Sequence, residues 1–247
     1  MSSKPTIVIV PGAWQKPAAF AGIVAKLQAA GYPTIHVPLP STGGVAPIGL
    51  SDDIAVVRKV LLPLIEEQGK EVVLIGHSAG GISASGAVEG LDAASRAKAG
   101  QTGGVLKVIF LAAFVVPKGQ SLLDMLGGNP LPWMVIEADR VSGNPDMVPQ
   151  VAFNDLASQP DEQAKWVREM DYTSAALFAS PAAYEPWANG IPCAYIHTSD
   201  DGALPLPVQQ AMAPQLGAHA KSATLKAGHC PHLSVPDDLV KAIESVL

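Results

Sequence analysis

Short apolar runs alternate with helix-length amphipathic segments along much of the chain. The apolar runs predict strands at 7–10, 34–37, 71–75, 105–111, 193–198 and 222–225. The amphipathic segments predict helices at 18–30, 50–67, 79–89, 206–216 and 236–247. Strands that alternate with helices in this way form a doubly wound, mostly parallel sheet. The pattern therefore predicts an α/β fold.

One long segment, at about 117–190, departs from this alternation. It holds clustered prolines and glycines and three of the four tryptophans, and it contains no convincing strand pattern. An insertion of this size after a core strand is expected to fold as a helical cap over the strand ends. We therefore predict a single domain over 1–247, with a core at about 1–116 and 191–247 and a cap between them.

A candidate nucleophile follows the third predicted strand, in Gly76-His77-Ser78-Ala79-Gly80. This sequence fits the Gly-x-Ser-x-Gly elbow, in which a sharp strand-to-helix turn holds the serine in a strained conformation and needs small neighbours. The same residues could also form an ordinary glycine-rich turn. The apolar strand before Ser78 and the alanine-rich helix after it favour the nucleophile.

A serine hydroxyl needs a nearby base, and the best candidate is His229. It lies in the loop between the last short strand and the terminal helix, where the chain order Ser, acid, His of this architecture places the base. Gly228 before it permits a tight loop. His232, three residues later, is the alternative, and a place in the pocket wall is its other interpretation.

Two acidic residues could orient that base, because Asp200 and Asp201 both follow the strand at 193–198. Sites in open α/β sheets form at the carboxyl ends of strands, and this argument does not separate the two acids. The oxyanion of an acyl-transfer reaction also needs two backbone N–H groups. The residue after the nucleophile, Ala79, supplies one. Since Pro11 has no N–H, Gly12 or Ala13 must supply the other, and we favour Ala13.

At these positions the chain resembles the small α/β-hydrolases grouped with plant methyl esterases and hydroxynitrile lyases, and above all their microbial and fungal members. The marks are Val8-Ile9-Val10-Pro11-Gly12-Ala13-Trp14, Gly76-His77-Ser78-Ala79-Gly80-Gly81, Asp201-Gly202-Ala203-Leu204-Pro205, and Gly228-His229 followed by Leu233-Ser234-Val235-Pro236. The resemblance implies that Asp201, which opens the Asp-x-x-aliphatic-Pro turn, is the catalytic acid. It likewise implies that His229 is the base.

The resemblance also bears on the reaction. The lyase branch typically carries a Thr in the first turn and a Lys directly after the catalytic His, whereas this chain has Gly12 and Cys230. This difference implies hydrolysis of an ester or lactone in a small, largely apolar molecule. The alternatives are a cofactor-free lyase that uses the same triad and a small-molecule receptor with slow turnover. Substrate contacts are expected from Gly12, Trp14, His77, Cys230 and His232, of which His232 replaces a usual apolar residue.

Composition narrows the class of protein further. Apolar residues make up 48% and charged residues 15% of the chain, and the formal net charge is −6 with 16 scattered Lys and Arg. These values argue against nucleic-acid binding. Two cysteines offer no disulfide framework, and no signal peptide or membrane span is apparent. We expect a cytoplasmic enzyme with a small-molecule substrate, no metal or organic cofactor, no membrane partner, and a homodimer as a possible assembly.

Overall fold

The computed structural model describes residues 4–247, and its core is a parallel sheet. In chain order the strands are β1 (Thr6–Val10), β2 (Thr34–His36), β3 (Glu71–His77), β4 (Gly104–Leu111), β5 (Met134–Glu137), β6 (Arg140–Gly143), β7 (Thr173–Ser174), β8 (Cys193–Thr198) and β9 (Lys221–Leu225). Six of them form one sheet in the order β2-β1-β3-β4-β8-β9, with every neighbouring pair parallel. The predicted α/β class is confirmed.

Helices cover both faces of this sheet. They are α1 (Ala21–Ala29), α2 (Leu50–Leu62), α3 (Gly80–Ala87), α4 (Ala93–Lys98), α5 (Leu122–Met125), α6 (Val148–Val151), α7 (Pro160–Glu169), α8 (Ala175–Ala179), α9 (Leu206–Met212), α10 (Pro231–Ser234) and α11 (Pro236–Val246). Alternate residues of a strand face opposite sides. In β1, Ile7 and Ile9 accordingly pack in the core cluster of α1 and α11, whereas Val8 and Val10 pack in that of α2 and α3.

The predicted helix at 50–67 is divided at its proline. Helix α2 ends at Leu62, and one π-helical turn follows over Pro63–Glu67. Proline has no N–H to donate to the preceding turn, so the regular hydrogen-bond ladder changes there. The change moves no site residue, because β3 follows after only a short turn and carries the chain to the elbow.

The cap contains strands as well as helices. Besides α5 to α8, it holds a three-stranded antiparallel sheet in the order β5-β6-β7, in a segment for which we predicted no strand. The strands are two to four residues long, and β5 is half exposed, so they show no clear alternation. The indole Nε1 of Trp14 donates to the carbonyl of Val141, 2.8 Å away, which ties the turn after β1 to the cap sheet.

Within residues 4–247 the structure has no helix with the length and apolar character that a bilayer crossing requires.

Candidate active site

The turn that carries Ser78 joins β3 to α3 and is strained. Ser78 has a φ of +52°, a left-handed conformation that non-glycine residues rarely adopt. Its amide donates to the carbonyl of Leu111, 3.2 Å away, and its own carbonyl accepts from Phe114 at 3.1 Å. A Cβ on Gly80 would lie 2.3 Å from the carbonyl oxygen of Pro11. The glycine therefore allows the turn to approach β1 closely, and neighbouring backbone fixes the serine.

Three side chains from three strand ends form one hydrogen-bonded chain. The Oγ of Ser78 lies 2.9 Å from Nε2 of His229, and Nδ1 of His229 lies 2.9 Å from Oδ2 of Asp201. Ser78 follows β3, Asp201 follows β8, and His229 follows β9. Because parallel strands end at the same edge of the sheet, residues far apart in sequence meet there. Each of the three is at least nine-tenths buried.

Hydrogen bonds from four further groups hold the Asp201 carboxylate. Its Oδ1 accepts from the amides of Ala203 and Leu204 at 2.9 and 2.7 Å. Its Oδ2 accepts from Thr198 Oγ1 at 2.9 Å and from Gln209 Nε2 at 3.1 Å. Burial by itself raises the pKa of Asp201, but His229 and these hydrogen bonds outweigh burial and leave the pKa below its ordinary value. Asp201 is therefore an anion at neutral pH.

The neighbouring acid has a different environment. Asp200 is exposed, and its Oδ1 accepts from the hydroxyl of Ser199 at 3.1 Å. The structure thus brings Asp201, and not Asp200, to the imidazole of His229.

Two backbone amides beside Ser78 are available to a ligand. Among the described residues, no backbone acceptor takes the N–H of Ala13 or Ala79, and both residues line the cavity at Ser78. The next amide of the first turn is occupied, because Trp14 donates it to Thr173 Oγ1 at 2.8 Å. Gly12 lies so close to the nucleophile that a Cβ there would approach Ser78 Cβ to 2.8 Å.

A small apolar cavity opens beside Ser78, and we call it the apolar lobe. Apart from Ser78 and His229, every residue that lines it is apolar. The core contributes Phe114 and Leu204, and the cap contributes large side chains such as Leu131, Trp133 and Phe178. Trp14 packs on Trp133 with ring centroids 5.1 Å apart and on Phe178 at 5.7 Å. An apolar group is the natural occupant of this space.

Two of the residues expected to contact substrate lie elsewhere. Cys230 is buried with its Sγ accepting from Gln15 Nε2 at 3.1 Å, and His232 stacks on Phe20 with ring centroids 4.2 Å apart. Neither residue lines the cavities that adjoin Ser78. The other three expected contacts, Gly12, Trp14 and His77, are next to the nucleophile or line those cavities.

The sequence did not predict a turn of the cap that contacts the loop of Asp201 and the loop of His229. Asn154 Nδ2 donates to the carbonyl of Asp200 at 2.7 Å, and Asp155 Oδ2 accepts from the amide of Gly228 at 2.7 Å. Asp155 also accepts from the hydroxyl of Ser234. A Cβ on Gly228 would lie 2.4 Å from Asn154 Oδ1, so this contact requires the glycine. We call Asn154 and Asp155 the cap clasp. No local sequence signal identifies it.

Comparison with known proteins agrees with this fold. Residues 7–242 match the alpha/beta hydrolase family, and the chain belongs to it. The alpha/beta hydrolase nvfD of Aspergillus novofumigatus is 32% identical over 98% of this chain and 96% of its own length. The pyrethroid hydrolase of Sphingobium wenxiniae is 25% identical over 96% of this chain and 85% of its own length.

A solved structure shows the same architecture. Polyneuridine aldehyde esterase superposes with a TM-score of 0.77 at 18% identity, over 98% of this chain and 99% of that one. At this identity the likeness establishes the fold. Membership of the α/β-hydrolases, first indicated by the sequence motifs, is confirmed.

Proposed function

We propose that this protein is a serine hydrolase that cleaves a carboxylic ester or lactone of a small, largely apolar molecule. The observation that carries the proposal is the chain of two 2.9 Å contacts from Ser78 through His229 to Asp201, which opens onto the apolar lobe. This geometry is the one that nucleophilic acyl transfer requires. The relatives described as hydrolases and an esterase agree with it.

The proposed reaction begins when Ser78 Oγ attacks the ester carbonyl. His229 Nε2 takes the hydroxyl proton, and Asp201 stabilises the imidazolium that forms and keeps Nδ1 protonated in the resting state. The amides of Ala13 and Ala79 bind the oxyanion of the tetrahedral intermediate. His229 then gives its proton to the departing alcohol, which leaves an acyl group on Ser78.

Water completes the cycle. It gives a proton to His229 Nε2 as it attacks the acyl carbonyl. His229 then returns that proton to Ser78 Oγ as the second tetrahedral intermediate collapses and the carboxylic acid leaves. In a lactone the leaving alcohol stays attached to the acid. No net change in oxidation state occurs, and water is the one reactant besides the substrate.

The test is steady-state hydrolysis of short-chain p-nitrophenyl esters by the wild type and by Ser78→Ala and His229→Ala. We expect multiple turnovers that fall by roughly 10³-fold or more in either variant. Ser95→Ala and His219→Ala serve as matched controls on exposed positions and should keep wild-type rates. Absence of turnover by the folded wild type contradicts the proposal and favours the lyase or the receptor. Undiminished turnover by Ser78→Ala contradicts the role of Ser78 as the nucleophile.

A further inference from the structure

A second cavity adjoins Ser78 on the side away from α5, and we call it the polar lobe. It is small and shares Ala13, Trp14, Ser78, Trp133 and His229 with the apolar lobe. Of the five residues that only the polar lobe has, Gln15 and His77 carry polar atoms without a hydrogen-bond partner in the described chain. The nucleophile therefore lies between an apolar space and a space with hydrogen-bonding capacity.

Gln15 presents an acceptor that nothing in the described chain satisfies. Its side chain is 9% exposed, and its Nε2 donates to Cys230 Sγ at 3.1 Å, which fixes the amide. The amide oxygen Oε1 is buried and has no hydrogen-bond partner among residues 4–247. Gln15 follows the candidate oxyanion amide of Ala13 by two residues, so this oxygen belongs to the same turn as the reacting centre.

His77, which also lines the polar lobe, carries a second acceptor without a partner among the described residues. Its Nε2 lies 2.8 Å from the carbonyl of His229, and a carbonyl only accepts, so Nε2 carries the proton and Nδ1 is an acceptor. Burial, and after it the neighbouring His229, lowers the pKa of His77 to about 3, so the ring is neutral. Its Nδ1 is buried without a partner in the described structure.

Gly12 keeps the space near that nitrogen open. A Cβ at this position would lie 3.2 Å from His77 Nδ1 and 2.8 Å from Ser78 Cβ, and it would fill the approach to both. An unsatisfied buried acceptor is unfavourable, and a donor that reaches it removes that cost. Two such acceptors beside one nucleophile favour a ligand that brings a donor with it.

We propose that the polar lobe binds a hydroxyl group of the substrate, which donates a hydrogen bond to Gln15 Oε1 or His77 Nδ1. The apolar part of the substrate fills the apolar lobe. This inference rests on the proposed function, which places the ester carbonyl at Ser78, between the two lobes. An uncharged donor fits, because no residue that lines the polar lobe is acidic. The substrate class is thus an ester or lactone with one apolar and one hydroxylated arm.

The test measures binding to Ser78→Ala protein by titration calorimetry, so that turnover is not needed. The probes are two isosteric pairs, hexyl glycolate against hexyl propionate and ethylene glycol monohexanoate against propyl hexanoate, because the hydroxyl can lie on the acyl or the alcohol arm. We expect the hydroxylated member of at least one pair to bind about tenfold more tightly, as one satisfied buried acceptor implies.

The matched comparison is the same titration with Ser78→Ala/Gln15→Met, whose thermal melting shows whether it is folded. If Gln15 is the acceptor, the preference for the hydroxylated probe should fall to about twofold or less in this variant. If His77 is the acceptor, the preference should persist there and be lost when Gly12→Ala is added, because the new Cβ closes the approach to His77. The inference is overturned if Ser78→Ala protein with native Gln15 binds both members of each pair equally. It is also overturned if this protein binds none of the probes. If the wild type turned over no ester but the hydroxylated probes still bound more tightly, the proposed hydrolase function would be rejected and the hydroxyl site would stand.

Discussion

The two sides of the elbow hold the site in different ways. On the core side, Ser78, Asp201 and His229 each follow a strand of one parallel sheet, and backbone hydrogen bonds fix the turn at Ser78. On the cap side, short helices and a small antiparallel sheet reach the site through individual side chains, such as Trp133 over the apolar lobe and the cap clasp on the loops.

This difference separates two properties of the proposed enzyme. Reactive atoms need positions fixed to within a fraction of an ångström, and strands with their backbone ladder supply that precision. The choice of substrate depends on the shape and polarity of the lobes, which a few cap side chains determine. We therefore expect changes at the core side to abolish the site and changes at the cap side to modulate it.

The largest effect is expected for Gly80→Ala on the core side. The added Cβ would lie 2.3 Å from Pro11 O and 2.5 Å from Val10 O, so the elbow or β1 must shift. Because both contacts are with backbone, we expect a loss of about 3 kcal/mol or more in the free energy of unfolding. Urea unfolding and ester turnover, which should disappear, measure it.

The matched control is Gly22→Ala in α1, where a Cβ would meet nothing within 4 Å. This helical substitution should raise the free energy of unfolding by about 0.5–1 kcal/mol. If Gly80→Ala behaved like Gly22→Ala, the close approach of the elbow to β1 would not be required, and the distinction between the two sides would fail.

An intermediate effect is expected at the cap clasp, from Asp155→Asn. The change keeps the shape but removes the charge that strengthens the hydrogen bonds from Gly228 and Ser234. We expect a loss of about 1–3 kcal/mol in stability. We also expect kcat for ester hydrolysis to fall by about tenfold, because the loop of His229 loses its restraint.

A purely structural clasp would lower the melting temperature and leave kcat unchanged at temperatures where the protein is folded. Asp146→Asn, at an exposed position of the same cap, controls for the loss of one negative charge and should change neither quantity. A fall in kcat for both variants would show that cap charge, and not contact with the loop, matters.

The smallest effect concerns the histidines on the core side. His36 stacks on Phe20, and burial lowers its pKa to about 4. Between about pH 6.5 and pH 4, His36 binds a proton in the unfolded chain but not in the folded chain. His36 therefore reduces the free energy of unfolding as the pH falls through this range. The fall in unfolding free energy between pH 7 and pH 5 should be about 1–2 kcal/mol smaller in His36→Gln than in the wild type.

Unfolding by urea at the two pH values measures this difference. His219→Gln, at an exposed position, should leave the pH dependence as it is in the wild type. An unchanged pH dependence in His36→Gln would contradict the assignment of an uncharged histidine on this side.

Core and cap also differ in how far the sequence predicts them. The strands that carry Ser78 and Asp201 are largely apolar runs, so their ends, and the residues beyond them, follow from the pattern. The strand before His229 has the mixed sequence KSATL and is mostly exposed, so its pattern is weaker. The choice between Asp200 and Asp201 did not follow from it, since both acids come after the same strand. The motif resemblance favoured Asp201, and the structure brings its carboxylate to His229.

The cap resists such reasoning for physical reasons. Strand β5 has four residues, two of them exposed, and this is too short for an alternation to be visible. The clasp pairs Asp155 with Gly228, 73 positions away. Polar loop residues of this kind gain their role only from the folded arrangement, and a single sequence gives no sign of it.

The most direct test of the central claim is phosphonylation by a p-nitrophenyl alkylphosphonate, followed by mass spectrometry of the intact protein and its peptides. An activated serine attacks phosphorus, expels p-nitrophenolate and keeps the phosphonyl group. We predict one added group in the wild type, located on Ser78, with no labelling of Ser78→Ala and greatly slowed labelling of His229→Ala. A folded wild type that stays unlabelled, or a Ser78→Ala variant labelled at the same rate, would contradict the account.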